Sequence, residues 1–213
     1  KLSNLTCGQT YNVTMVSYDG HCLSRPGTPL AVPSVPCPPQ NVLSNMLCSL
    51  SSANVQWSPA MGAESYEVHA ISANGLTNGC NSTNTSCVMP NLHCGSVYNI
   101  SVLALGHHCN VSKSAITTLH SVPCVPSQIH ANLSCGSGMV DVSWQPSLGA
   151  SSYNAVAQGK GGFASSCNSS GTTCKLTDLL CGLTYSISVS ASDNVCTSVQ
   201  SNSISLDTVP CKP

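Results

Sequence analysis

The feature that most constrains this chain is the spacing of its cysteines. They stand at positions 7, 22, 37, 48, 80, 87, 94, 109, 124, 135, 167, 174, 181, 196 and 211, and stepping back 87 residues from any of them from Cys94 onward meets another. The same step carries Trp57 to Trp144, Pro59 to Pro146, Gly62-Ala63 to Gly149-Ala150 and Tyr66 to Tyr153, and it aligns Tyr11, Tyr98 and Tyr185. Roughly a third of the aligned positions in the two full copies are identical, which marks a duplicated structural unit. Lys1 aligns with Val88 and Lys175, so the first copy reads as the back half of a repeat. Divisions at Val35-Pro36-Cys37-Pro38-Pro39 and Val122-Pro123-Cys124-Val125-Pro126 give expected segments 1–36, 37–123 and 124–213.

Fifteen cysteines in 213 residues would be a liability in a reducing cytosol and serve as covalent staples in an oxidising compartment. A secreted, extracellular protein is therefore expected, its leader removed or lying outside this segment. Only 6% of the residues are charged and the net charge is −1, so no basic stretch can track a phosphate backbone, and nucleic acid is not an expected partner. The longest purely apolar runs, such as Val102-Leu103-Ala104-Leu105, are far too short to span a bilayer, so no membrane insertion is expected in this segment.

Within a copy the apolar pattern has period two. Tyr98, Ile100, Val102 and Ala104 alternate with Asn99, Ser101, Leu103 and Leu105, as in a strand with one buried face. Val55 and Trp57 precede Ser58-Pro59 in the same manner, and Tyr66, Val68 and Ala70 follow Met61-Gly62-Ala63. No stretch holds a helical apolar period for three turns. Each copy thus reads as about seven short strands, the density of a two-sheet sandwich.

Val55-Gln56-Trp57-Ser58-Pro59 and Val142-Ser143-Trp144-Gln145-Pro146, each followed by Tyr66 or Tyr153, resemble the B and C strands of a fibronectin type III domain. Leu92-His93-Cys94-Gly95-Ser96-Val97-Tyr98 is similar to that family's Leu-x-Pro-Gly-Thr-x-Tyr corner, with Cys94 in place of proline; Leu5 to Tyr11 and Leu179 to Tyr185 share the substitution. The resemblance implies an all-β array of immunoglobulin-like sandwiches, disulfide-stapled, in which each corner tyrosine returns its hydroxyl to the backbone just upstream. It supplies no single activity, since these sandwiches serve adhesion, receptor ectodomains and rods alike. The chain has neither an Arg-Gly-Asp tripeptide nor a Trp-Ser-x-Trp-Ser signature, so neither specialised reading carries over.

Strand order A, B, C, C′, E, F, G then puts Cys48 and Cys94 at one pole, and Cys37, Cys80, Cys87 and Cys109 at the other; a disulfide needs Cα atoms within about 7 Å. Cys80 with Cys87 and Cys167 with Cys174 are expected to close local turns. Cys48 is assigned to Cys94, Cys135 to Cys181, Cys37 to Cys109 and Cys124 to Cys196, leaving Cys7, Cys22 and Cys211 to pair outside the segment. A competing scheme joins Cys109 to Cys124, Cys196 to Cys211 and Cys22 to Cys37. It ranks second because those positions lie at opposite ends of strand G, roughly 30 Å apart if extended. No partner set has zinc-site spacing.

Asn4, Asn12, Asn81, Asn84, Asn99, Asn110, Asn132 and Asn168 head Asn-x-Ser/Thr sequons and are candidate sites for N-linked glycans. No nucleophile elbow, phosphate loop or His-Glu-x-x-His helix appears, so no enzyme activity and no cofactor are expected. The outer face of strand F reads Asn12, Thr14, Val16, Tyr18 in copy one and Asn99, Ser101, Leu103, Leu105 in copy two, against four serines, Ser186, Ser188, Ser190 and Ser192, in copy three. Val16, Tyr18, Leu103 and Leu105 are accordingly candidate interface residues, since clustered exposed apolar side chains mark contacts. The expected function is that of a glycosylated structural or adhesive array, rod- or filament-like, binding neighbouring copies of itself or an extracellular protein. The alternative is a receptor-type or secreted binding ectodomain that recognises a protein through its sandwich loops.

Overall fold

The computed structural model describes residues 3–106, 109–134 and 138–212. Two compact units are present, one formed by Lys1–Asn45, Ala53–Met89 and Tyr98–Leu119, the other by Met46–Ser52, Pro90–Val97 and His120–Pro213. The second unit thus holds, besides the last repeat, two short pieces of the preceding one, around Cys48 and around Cys94.

The first unit begins with β1 (Thr10–Val13) and β2 (Leu30–Pro33), an antiparallel pair in which Tyr11 faces Val32. There follow β3 (Gln40–Leu47), β4 (Ser52–Ser58), β5 (Ser65–Ser72), β6 (Thr77–Ser82), β7 (Ser86–Met89), β8 (Val97–Gly106), β9 (Cys109–Lys113) and β10 (Thr117–His120). They make a three-stranded sheet in the order β3-β4-β7, and a larger sheet in the order β10-β8-β5-β6 with β9 also paired to β8. The alternating residues choose the faces. Val55, Trp57, Tyr66, Val68, Ala70, Ile100, Val102 and Ala104 are all buried, and Val68 lies opposite Val102 and Ala70 opposite Ile100 across the β5–β8 pair. The Trp57 and Tyr66 rings meet in a tilted contact with centroids 5.2 Å apart, a geometry that aromatic quadrupoles favour.

The second unit carries β11 (His130–Ser134), β12 (Met139–Ser143), β13 (Ser152–Gly159), β14 (Ala164–Ser169), β15 (Thr173–Leu176), β16 (Thr184–Ser192) and β17 (Ile204–Asp207). Its sheets run β11-β12-β15 and β14-β13-β16-β17, and between them Val140, Val142, Trp144, Tyr153, Ala155, Leu176, Tyr185, Ile187 and Val189 form the core. Trp144 and Tyr153 repeat the aromatic contact at 5.4 Å. Three strands facing four, with the first, second and fifth on one side, is the fibronectin type III arrangement that the motifs imply.

The outer face of strand F departs from a simple alternation. Ser101 and Ser190 are buried, and Leu103 and Leu105 are half-buried rather than open. Leu103 sits between Glu67 and Lys113 on the flanking strands.

Candidate functional site at the corners between repeats

The chemistry-bearing residues of this chain converge on one recurring structure, the Cys-Gly corner before strand F. Disulfides join Cys7 to Cys37, Cys94 to Cys124 and Cys181 to Cys211, each across 30 residues and with Cα atoms 4.9, 4.8 and 4.9 Å apart. The reason is the backbone. The amide of Gly8 donates to Val35, that of Gly95 to Val122 and that of Gly182 to Val209, at 2.7, 2.8 and 2.8 Å. The chain leaving the last strand therefore runs beside the corner, and the cysteine two residues past each valine meets the one just before each glycine.

A hydroxyl completes the clamp. Ser34 Oγ accepts from the Gln9 amide and donates to the Thr6 carbonyl; Ser121 does the same for Ser96 and His93, and Thr208 for Leu183 and Leu180, all within 3.0 Å. The corner tyrosines act as the resemblance implies. Tyr11 Oη accepts from the Thr6 amide at 2.8 Å and Tyr185 Oη from the Leu180 amide at 3.0 Å, while Tyr98 is fully buried. A second tyrosine hydroxyl, unanticipated from the sequence, holds each B–C loop: Tyr66 Oη accepts from the Ala60 amide and Tyr153 Oη from the Ser147 amide, at 2.9 and 2.8 Å.

The B–C loop, so fixed, seats on the corner of the repeat before it. The Cys37 amide donates to the Met61 carbonyl, and the Cys124 amide to the Leu148 carbonyl, both at 2.9 Å. Gly8, at φ +66°, lies so close that a Cβ there would stand 2.6 Å from Met61 Cβ; at Gly95, φ +61°, it would stand 2.4 Å from Leu148 Cβ. From the other side a Cβ on Gly62 would fall 2.7 Å from Gly8 Cα, and one on Gly149 2.9 Å from Gly95 Cα. Backbone touches backbone, which requires glycine on both sides. This explains why Cys-Gly and Gly-Ala recur in one register. The recurrence of Ser34, Ser121 and Thr208 in another was a signal of the clamp that the sequence reading did not use.

The long-range cysteine assignments are corrected. Cys94 bonds Cys124 and not Cys48; Cys37 bonds Cys7 and not Cys109; Cys181 bonds Cys211 and not Cys135; and Cys196 bonds Cys48, with Cα atoms 5.5 Å apart, and not Cys124. Cys7 and Cys211 find partners within the segment. The competing scheme fails too, because Cys37, Cys124, Cys196 and Cys211 are all taken. Both schemes kept each staple within one sandwich or along one strand, whereas these bonds tie the exit of a repeat to its own corner and reach between repeats. A separation of 30 residues occurring three times could have identified the corner pairs. The local turns close as Cys80–Cys87 and Cys167–Cys174 disulfides. Cys22 is an exposed free thiol, while Cys135 and the side chain of Cys109 lie outside the described residues.

Among the other candidates, Asn4, Asn12, Asn81, Asn84, Asn99, Asn132 and Asn168 are solvent-exposed, Asn168 accepting a hydrogen bond from Asn154, and the Asn110 side chain lies outside the described residues. Val16 and Tyr18 are exposed, in contrast to half-buried Leu103 and Leu105. Asp19 caps the F–G turn, and the amides of Cys22 and then His21 hold its carboxyl below the ordinary carboxylate range. Among the described residues no group of three or more His, Cys, Asp or Glu is placed to hold a metal, and no helix is long and apolar enough to cross a membrane.

No protein-family profile matches the chain. It is 33% identical over 211 residues to mouse (Mus musculus) Fibronectin type III domain-containing protein 7 and 31% identical to the human (Homo sapiens) protein, over 97% of its own length in both cases. It spans 28% of the length of these curated relatives. Among solved structures, a two fibronectin type-III domain segment from chicken tenascin aligns at 23% identity and a TM-score of 0.43, covering 80% of this chain and 99% of that one. Chicken CNTN1 FN1–FN3 domains align at 16% identity and 0.41, covering 97% and 80%. With its paired β-sheets, tyrosine corners and staples, the chain folds as tandem, disulfide-stapled fibronectin type III sandwiches and is similar over nearly its whole length to Fibronectin type III domain-containing protein 7.

Proposed function

We propose that the chain is a segment of an extracellular, N-glycosylated, non-catalytic repeat protein whose work is structural or adhesive, built from a half sandwich, 1–36, and two full ones, 37–123 and 124–213. The observation that carries this reading is the corner seat: two glycines in backbone contact, a linker amide bonded to the next B–C loop, and a disulfide beside them. Such a joint leaves a linker no slack, and a joint without slack is what a stiff array needs. The disulfides and the exposed sequons favour a secreted, glycosylated chain. Val16 and Tyr18 offer apolar surface for a protein partner, either another copy or an extracellular ligand. The receptor-type alternative draws its support from Phe163, which is exposed at the turn between β13 and β14.

The test is small-angle scattering of the secreted chain beside its Gly95→Ala variant. A stiff joint gives the parent one well-defined maximum dimension, and the variant, with its seat forced apart, a broadened distribution of lengths. Indistinguishable profiles would remove the joint as the functional element and favour the binding-ectodomain reading.

A further inference from the structure

The F–G turns of copies one and three are the same structure in different states. In copy three Asp193 accepts the amides of Val195 and Cys196 through Oδ1, its own amide bonds the Cys196 carbonyl, and Ser192 bridges to Thr197. In copy one Asp19 accepts the amides of His21 and Cys22, its amide bonds the Cys22 carbonyl, and Tyr18 bridges to Leu23. The flanking bonds match as well: the Ser198 amide reaches the Ala191 carbonyl as the Ser24 amide reaches that of Ser17, and Ser198 Oγ and Ser24 Oγ accept the return amides. Cys196 is buried and bonded to Cys48, on the turn after the first strand of the preceding repeat. Cys22, presented by the same turn, is exposed and unbonded.

Met15 is 81% exposed where its counterpart two periods on, Val189, is at 0% in the core, and Leu23 is exposed too.

We propose that Cys22 is one half of an inter-repeat disulfide whose other half is the cysteine at the Cys48 position of the repeat preceding its own. The relation is the one the structure holds between Cys48 and Cys196, a separation of 148 residues. The partner is thus a fibronectin type III repeat of the same polypeptide, and the curated relatives, of which this chain spans 28%, have the length for further repeats. The bond forms by thiol–disulfide exchange with a disulfide-carrying oxidoreductase of the secretory pathway. The Cys22 thiolate attacks the carrier's disulfide and displaces one carrier thiolate. The partner's thiolate then attacks the Cys22 sulfur and expels the second. Two electrons and two protons pass to the carrier, which leaves as a dithiol.

This inference rests on the extracellular reading, and the experiment separates the two. Full-length parent protein is secreted from cultured cells, its free thiols are alkylated with N-ethylmaleimide in denaturant without reductant, and its peptides are mapped by mass spectrometry before and after reduction. The expected result is a Cys22 peptide cross-linked to a peptide carrying the cysteine 148 residues earlier, alongside intact Cys48–Cys196 and Cys80–Cys87 links. A Cys22→Ser variant should leave that upstream cysteine fully alkylated. Alkylated Cys22 with Cys80–Cys87 intact would overturn the proposal and leave the extracellular reading standing; alkylated Cys80 and Cys87 would overturn the extracellular reading, and the proposal with it. A reducible doubling of mass abolished by Cys22→Ser, or a link from Cys22 to any other cysteine, would overturn it equally.

Discussion

The corners at Gly95 and Gly182 are alike in everything they do internally, and at Gly95 a loop of the following repeat also lies upon the glycine. Both glycines have positive φ, both amides bond the valine two residues before the paired cysteine, and both disulfides close 30 residues. Gly95 carries Leu148 and Gly149 of the following repeat against its Cα; a Cβ at Gly182 would meet only Cys211 Sγ, at an ordinary 3.4 Å. The corner is therefore two devices in one sequence. The disulfide, hydroxyl clamp and tyrosine close a sandwich on itself. The bare glycine is a seat that matters only when another repeat occupies it.

The comparison is most strongly tested by removing the staples. Cys94→Ala with Cys124→Ala, and Cys181→Ala with Cys211→Ala, should each lower stability by about 3.5 kcal/mol, the chain-entropy value for a loop of this size. Denaturant unfolding followed by tryptophan fluorescence measures both. Only the first pair should also speed hydrogen exchange at the backbone amide of position 124, which in the parent chain bonds the Leu148 carbonyl across the seat. Faster exchange at the corner of neither variant would show that the clamp stands without its disulfide.

Glycine replacement separates the two devices more finely. Gly182→Ala meets only the left-handed backbone penalty, about 1 kcal/mol, while Gly95→Ala adds steric collision with Leu148 and should cost about 2–4 kcal/mol. Equal shifts in unfolding midpoint would mean that the seat yields freely. The smallest effect is Tyr185→Phe, which strands the Leu180 amide and should cost about 1–2 kcal/mol with the fold retained. A midpoint unchanged within error would indicate that water replaces the hydroxyl at no cost.

Much of the scaffold was readable before any coordinate. The alternation through Tyr98, Ile100, Val102 and Ala104 placed one face of strand F in the core because a strand turns each successive side chain by half a revolution. Cys80 and Cys87 were readable as a pair because six polar residues between them leave only a tight hairpin. Leu103 was not readable as half-buried, because its cross-strand neighbours Glu67 and Lys113 are distant in sequence and brought alongside by sheet register. The seat escaped notice for a similar reason: a glycine that admits a neighbour's backbone looks in sequence like a glycine that makes a turn.

The sequence by itself determined the repeat, its 87-residue period, the strands and their buried faces, the tyrosine corners and the local staples. Each of these depends on residues within one strand or turn, or on the recurrence of a whole unit. Only the tertiary structure decided which of several cysteines Cys48, Cys94 and Cys124 would meet, and that the Gly8 and Gly95 corners each seat the B–C loop that follows. A disulfide forms between whichever thiols the fold brings within a few ångströms. The recurring 30-residue spacing marks the corner pairs, but for Cys48 and Cys196, 148 residues apart, spacing along the chain does not encode the approach, which the fold alone sets.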